Sequence, residues 1–320
     1  MTRVAAIDCG TNSIRLLIAD ISDEGAGPVL RDVHREMRIV RLGQGVDATG
    51  QLAPDAIART KAALIAYADL LAEHDVSRVR MVATSATRDA ANRDEFFTMT
   101  AEVLGRVVPG AVAEVITGDE EAGLSFVGAV GELDSAGAPF VVVDLGGGST
   151  EVVVGDSDGV EAAFSADIGC VRLTERCLHS DPPTAVEVAA ARDVVRERLG
   201  EALRVVPVDG ARTWVGVAGT FTTIAALAQN MTTYDSDAIH LSRVGFADLL
   251  PVCEQLIGMT RKQRAALGPM HEGRVDVIGG GAIVVEELAH ALGARAGIDQ
   301  LTVSEHDILD GIALSLADAG

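Results

Sequence analysis

Apolar residues come in short runs from the start of the chain. Val4–Ile7 and Ile14–Ala19 flank the polar, glycine-bearing stretch Asp8–Ser13, a pattern that predicts strand, tight turn and strand. Val29 to Leu42 continues as a strand-like stretch carrying Arg31, Arg35, Arg38 and Arg41. Pro54 opens a helix whose Ile57, Leu64, Ala68 and Leu71 fall on one stripe. Val79–Ala83 predicts a strand, Asp94–Arg106 a helix and Val112–Ile116 a strand, with another helix beginning near Asp119. Glu132 to Pro139 is a Gly/Ala/Ser/Asp stretch closed by proline, and it marks a domain boundary.

After that boundary the opening pattern returns. Phe140–Val143 reads as a buried strand, Asp144–Ser149 as a glycine-rich turn and Glu151–Val154 as a second strand. Asp8-Cys9-Gly10-Thr11-Asn12-Ser13 thus answers Asp144-Leu145-Gly146-Gly147-Gly148-Ser149, which reads as two related domains. Thr184 and Glu187 form a capping box for a helix with Val188, Ala191, Val195, Leu199 and Leu203 on one face. Trp214–Val217 predicts a strand running into Gly216–Thr220 and a helix. Ile278–Gly281 precedes a helix through Leu292, and a last helix spans about Glu305 to Leu316, returning toward the first domain. The expected division is 1–131 with about 300–320 as domain I, and 132–299 as domain II.

The length of 320 residues agrees, suiting about two domains of ~150 residues. With 48% hydrophobic but only 3% aromatic residues, the core must be built from Ala, Val, Leu and Ile. The net charge of −21 repels phosphate backbones and anionic lipid, so neither nucleic acid nor a membrane is an expected partner. An anionic substrate would need local donors and a bound cation. Cys9, Cys170, Cys177 and Cys253 form no CxxC pair, and no apolar run reaches the ~18 residues of a membrane span. Together these features predict a soluble cytoplasmic protein.

The chemistry concentrates in a few loops. Gly146, Gly147 and Gly148 let backbone amides converge on an anion, and Ser149 and Thr150 add hydroxyl donors. Asp144 and Glu151 flank that loop, and beside a phosphate such carboxylates hold Mg²⁺. The plain alternative is a hairpin with surface acids, but the echo at Gly10, Thr11, Asn12 and Ser13 favours the anion cradle. Asp8 ends its strand, either as a further carboxylate on the metal side or as one that supports the metal's ligands from behind. For Glu121 two readings stand: a helix-start acid favoured by the dipole, or a base that orients and deprotonates water. Arg88 lies just past a strand's carboxyl end, as a clamp for a transferring phosphoryl group or as a surface partner of Asp89 or Glu95. The chain has no GxxxxGK[ST] loop, HExxH or GxSxG elbow, which weighs against P-loop enzymes, zincins and α/β-hydrolases. Gly279–Gly281 is half of a dinucleotide fingerprint and weak by itself.

These stretches resemble the exopolyphosphatase and guanosine pentaphosphate phosphohydrolase (Ppx/GppA) family. The match is carried by Ala6–Ser13, Ala83–Ala90, Ile116–Ala122 and Val143–Glu151, with a weaker one at Gly216–Thr220. The resemblance implies an α/β fold of two duplicated actin-like (ribonuclease-H-like) domains with the active site in the cleft between them. It implies removal of terminal phosphate from inorganic polyphosphate or pppGpp with Mg²⁺, Mn²⁺ being the alternative ion, and a homodimer. Glu121 then matches the catalytic base, Arg88 the phosphate-binding arginine, and Asp144 and Glu151 the metal-associated acids, while the two Gly/Ser loops match the phosphate cradles. Longer members carry a C-terminal HD-like region that this sequence lacks, which favours short polymers. Cys9 stands where an aliphatic residue is common. Two rivals share the motifs: an actin-superfamily phosphotransferase using ATP, and a non-catalytic sensor of polyphosphate or alarmone.

Overall fold

The computed structural model describes residues 2–23 and 28–317; the end of the expected domain I, 318–320, lies outside them. Contacts divide the chain into two units, 1–128 with 308–320, and 129–307. The first sheet runs β3-β2-β1-β4-β5, built from β1 (Thr2–Cys9), β2 (Ser13–Asp23), β3 (Pro28–Ile39), β4 (Arg78–Ala83) and β5 (Ala113–Val115). β1, β2 and β3 are consecutive hairpins, and β4 and β5 join in parallel through helices Pro54–Glu73 and Arg93–Leu104.

The second unit repeats this order. Its strands are β6 (Phe140–Leu145), β7 (Thr150–Asp156), β8 (Gly159–Ala166), β9 (Thr213–Val217), β10 (Arg243–Gly245) and β11 (Gln300–Val303). They lie as β8-β7-β6-β9-β11-β10, so β6 to β9 and β11 occupy the places of β1 to β5, and β10 is an addition. β6 pairs antiparallel with β7 and parallel with β9, as β1 does with β2 and β4. The duplicated actin-like architecture is therefore written in the strand order itself.

Burial on both faces explains why β1 is apolar from Val4 to Ile7. Ala5, Ile7 and Cys9 point into a core with Leu64, Tyr67 and Phe96 from the crossover helices. Val4 and Ala6 point the other way, onto Ile308, Leu309, Ile312 and Ala313 of the helix Ile308–Ser315. A strand covered on both faces carries no polar stripe. In the second unit Trp214 packs edge-on against Phe221 and Phe246, with ring centroids 5.7 and 5.8 Å away.

Two expectations need revision. Residues 300–303 do not belong with the first domain: they form β11 beside β9, and the chain rejoins the first unit at Ile308. The first passage between units falls at Gly128/Ala129 rather than after residue 131. Gly279–Gly281 serve packing: a Cβ at Gly280 would sit 2.5 Å from Thr174 Oγ1 and one at Gly281 2.7 Å from Thr220 Cγ2. These glycines let helix Ile278–Ala296 pack closely on its neighbours.

A tighter approach occurs at Gly311, where an added Cβ would fall 2.0 Å from the Leu124 carbonyl oxygen. Backbone cannot yield as a side chain can. Gly311→Ala is expected to destabilise the chain by about 1–3 kcal/mol, read as a lowered urea midpoint. An unchanged midpoint would show that the two helices part freely.

Candidate active site

The repeated turns share one construction. In the first unit Asp8 faces Arg15 across the β1–β2 hairpin, and the Gly10 amide donates to the Ser13 carbonyl at 2.9 Å. In the second, Asp144 faces Glu151 across β6–β7, and the Gly146 amide donates to the Ser149 carbonyl at 3.1 Å. Asp8, Gly10 and Ser13 thus correspond in place to Asp144, Gly146 and Ser149.

Neighbouring segments orient both turns through their carbonyls. The Val40 and Arg41 amides donate to the Asn12 carbonyl, and the Gly43 amide to that of Thr11. The Gly146 carbonyl accepts from the Cys170 amide at 3.0 Å, and that of Gly147 from Val171 and Arg172 at 2.9 and 3.0 Å. In a trans peptide the following N–H points opposite to the C=O. The Gly147 and Gly148 amides are thereby aimed away from helix Cys170–Cys177, which is what an anion nest requires. Thr150 is not part of that nest: its buried hydroxyl donates to the Ile168 carbonyl at 2.6 Å. That bond anchors Gly169, whose missing side chain is essential, because a Cβ there would lie 2.4 Å from Gly147 C and O. Gly169 carries no local motif and only the structure reveals its place.

The cross-strand pairs differ in charge between the copies. Asp8 Oδ2 accepts from Arg15 Nε at 3.0 Å and Nη2 at 2.8 Å, so the first turn holds an acid and a base. The second sets two carboxylates opposite each other, with Asp144 6% and Glu151 1% exposed. Ser165 Oγ donates to Glu151 Oε1 at 2.7 Å. Like charges directly opposite on a sheet repel, and a hard divalent cation accepting both oxygen donors would offset that cost. The donor set at Asp144 and Glu151 therefore fits Mg²⁺ or Mn²⁺, and Asp8 gives Arg15 only its Oδ2.

Arg88 and Glu121 meet in the first unit. Arg88 closes the short helix Ser85–Asp89 after β4, and Glu121 lies in the first turn of helix Gly118–Val130 after β5. Arg88 Nη1 donates to Glu121 Oε2 at 3.0 Å and to the Ile116 carbonyl at 3.1 Å. This is not the surface pair with Asp89 or Glu95 that remained open from sequence. Glu121 is 7% exposed, while its neighbour Glu120 is exposed and pairs with Arg80. The Thr84 amide donates to the Cys9 carbonyl, and Gly10 lies beside Thr84, which brings the Arg88 segment next to the first turn. All these positions lie at the carboxyl ends of parallel strands, where open α/β sheets place their ligands.

Arg274 is a further cation near the second turn that no motif signalled. Its guanidinium fills the space a Cβ at Gly219 would need, 2.0 Å from Nη2, and Nη1 donates to Thr223 Oγ1 at 3.2 Å. It stands at the start of helix Gly219–Ala228, next to Ala218, whose backbone (φ 71, ψ 169) is of a kind normally reserved for glycine. Cys170 packs nearby, and burial pushes its thiol up to about 11, so it stays protonated and unreactive.

The Ppx/GppA phosphatase family model matches residues 17–316. The chain belongs to the Ppx/GppA phosphatase family. Exopolyphosphatase 2 of Mycobacterium tuberculosis is 75% identical over 317 residues, covering 99% of both chains. A guanosine-5'-triphosphate,3'-diphosphate pyrophosphatase of Photobacterium profundum is 33% identical over 73% of this chain and 45% of its own. Among solved structures, the Aquifex aeolicus Ppx/GppA family member superposes with a TM-score of 0.78 at 31% identity, covering 99% of this chain and 97% of its own. An exopolyphosphatase from Cytophaga hutchinsonii gives 0.86 at 26% identity, over 99% and 98%. Family membership accounts for the duplicated sheets, and among the described residues no helix is long and apolar enough to cross a membrane.

Proposed function

We propose that this family member hydrolyses the terminal phosphoanhydride bond of inorganic polyphosphate, releasing orthophosphate, and also removes the 5'-terminal phosphate of pppGpp. The observation that carries the reading is the buried Glu121 carboxylate, held at 3.0 Å by Arg88 at the end of the sheet. Held there, the carboxylate can position a water and take its proton; a phosphotransferase would use it on the hydroxyl of a bound acceptor instead. The names of the M. tuberculosis and P. profundum relatives support the two substrates.

Each residue then has a task. Glu121 orients water and takes its proton, and Arg88 stabilises the equatorial oxygens of the transferring phosphoryl group. Gly146, Gly147, Gly148 and Ser149 hold phosphate oxygens, as do Gly10, Thr11, Asn12 and Ser13 from the other copy of the turn. Asp144 and Glu151 would hold Mg²⁺, or Mn²⁺ in its place, and the ion supplies charge neutralisation at the phosphates. Asp8 keeps Arg15 at the first turn. The four cysteines, three buried and none disulfide-bonded, support a cytoplasmic setting; the homodimer rests on family resemblance alone.

Phosphate release measured side by side on short polyphosphate, long polyphosphate, pppGpp and ATP tests the reading. With Mg²⁺ present, orthophosphate should appear from short polyphosphate and pppGpp, with ATP the poorest substrate. Release of ADP that depends on an acceptor would establish the phosphotransferase instead. Tight binding with no phosphate released would establish the sensor.

A further inference from the structure

Two of the seven histidines share a single carboxylate in the second unit. His240 Nε2 lies 2.7 Å from Glu132 Oε2, and His306 Nδ1 lies 3.8 Å from Oε1. The rings stand 4.5 Å apart between centroids and are tilted by 43°. One ligand atom of each residue lies within 4.8 Å of the other two, with both histidines half-buried and the glutamate exposed. The three come from separate segments: Glu132 after helix Gly118–Val130, His240 at the end of the short helix Ser236–Ile239, and His306 after β11.

We propose that Glu132, His240 and His306 form a second metal site, specific for a first-row divalent ion such as zinc and distinct from the oxygen pair Asp144 and Glu151. Two imidazoles with one carboxylate suit zinc, whereas magnesium prefers oxygen alone. Zinc bonds of roughly 2.0–2.2 Å in tetrahedral array set ligand atoms about 3.3 Å from one another. The three ligand atoms lie within 4.8 Å of one another, so capture needs the side chains to close in by at most about 1.5 Å. The exposed carboxylate opens the site to entry from solvent and leaves a fourth position for water.

The hydrogen bonding of His240 gives the site a signature. The Glu305 amide donates to His240 Nδ1 at 3.2 Å, which places the ring proton on Nε2, where it is shared with Glu132. An ion on Nε2 needs that lone pair, so the proton moves to Nδ1 and the Glu305 amide must turn away. Occupancy therefore switches the tautomer of His240. A simple histidine–glutamate ion pair would leave it unchanged.

The test is a zinc titration of the full, untagged chain with millimolar Mg²⁺ present to occupy the oxygen pair, followed by calorimetry and by histidine ¹⁵N NMR. One zinc per chain should bind with an affinity on the order of micromolar. His240 should pass from the Nε2–H to the Nδ1–H form, and His240→Gln and His306→Gln should each weaken binding about 10–100-fold. Absence of stoichiometric binding, wild-type affinity in both variants, or binding that leaves His240 with its proton on Nε2 would each overturn the proposal. Should either variant fail to fold, the tautomer of the wild-type chain still decides.

Discussion

Glu121→Gln should lower kcat for phosphate release by ~10²–10⁴ while leaving KM nearly unchanged, the usual scale for a lost general base. The substitution is close to isosteric, and a glutamine carbonyl can still accept from Arg88 Nη1, which now donates to Glu121 Oε2 at 3.0 Å. What disappears is only the ability to take a proton from water. That loss corresponds to about 3–5 kcal/mol of transition-state stabilisation. Steady-state kinetics on short polyphosphate decides the matter. A wild-type rate would remove Glu121 from the role of base, and a rise in KM at constant kcat would make it a binding residue instead.

The second large effect is expected far from any titratable group. Gly169→Ala puts a Cβ 2.4 Å from the Gly147 carbonyl and 2.6 Å from the Gly148 nitrogen, so its nearest neighbours are main-chain atoms. The glycine turn must shift, and its two aimed amides with it. Displacements on that scale cost about 10²-fold in kcat/KM, against a stability loss of about 1–3 kcal/mol from overpacking. Activity should therefore fall while the unfolding transition stays cooperative. If Gly169→Ala kept full activity, the Gly147 and Gly148 amides would not be gripping substrate.

Features carried by neighbours in sequence were legible beforehand. The turns Asp8–Ser13 and Asp144–Ser149 announce themselves because glycine, hydroxyl and carboxylate residues cluster between apolar runs. The capping box at Thr184 and Glu187 likewise depends on residues three apart, and it forms as expected. Arg15, Gly169 and Arg274 were opaque for the opposite reason: each acts through a partner across a sheet or from another helix. Arg15 sits inside an apolar strand and looks like an interruption until its register opposite Asp8 is known. The end of the second unit was misplaced for a similar cause. Gln300–Val303 is short and adjoins the final helix in sequence, and only its pairing with β9 shows where it belongs.

Because helix Ile308–Ser315 covers one face of a sheet that begins at Thr2, the two units cannot finish folding in the order in which they are synthesised. The contiguous segment 129–307 has all its strands once residue 303 has been made. The apolar back of the earlier sheet, including Val4, Ala6, Leu17 and Ala19, stays only partly covered on the ribosome until Ile308, Leu309 and Ile312 emerge. Nascent chains stalled before that point would expose a sticky surface and call on chaperones, however well their middle portion had already folded.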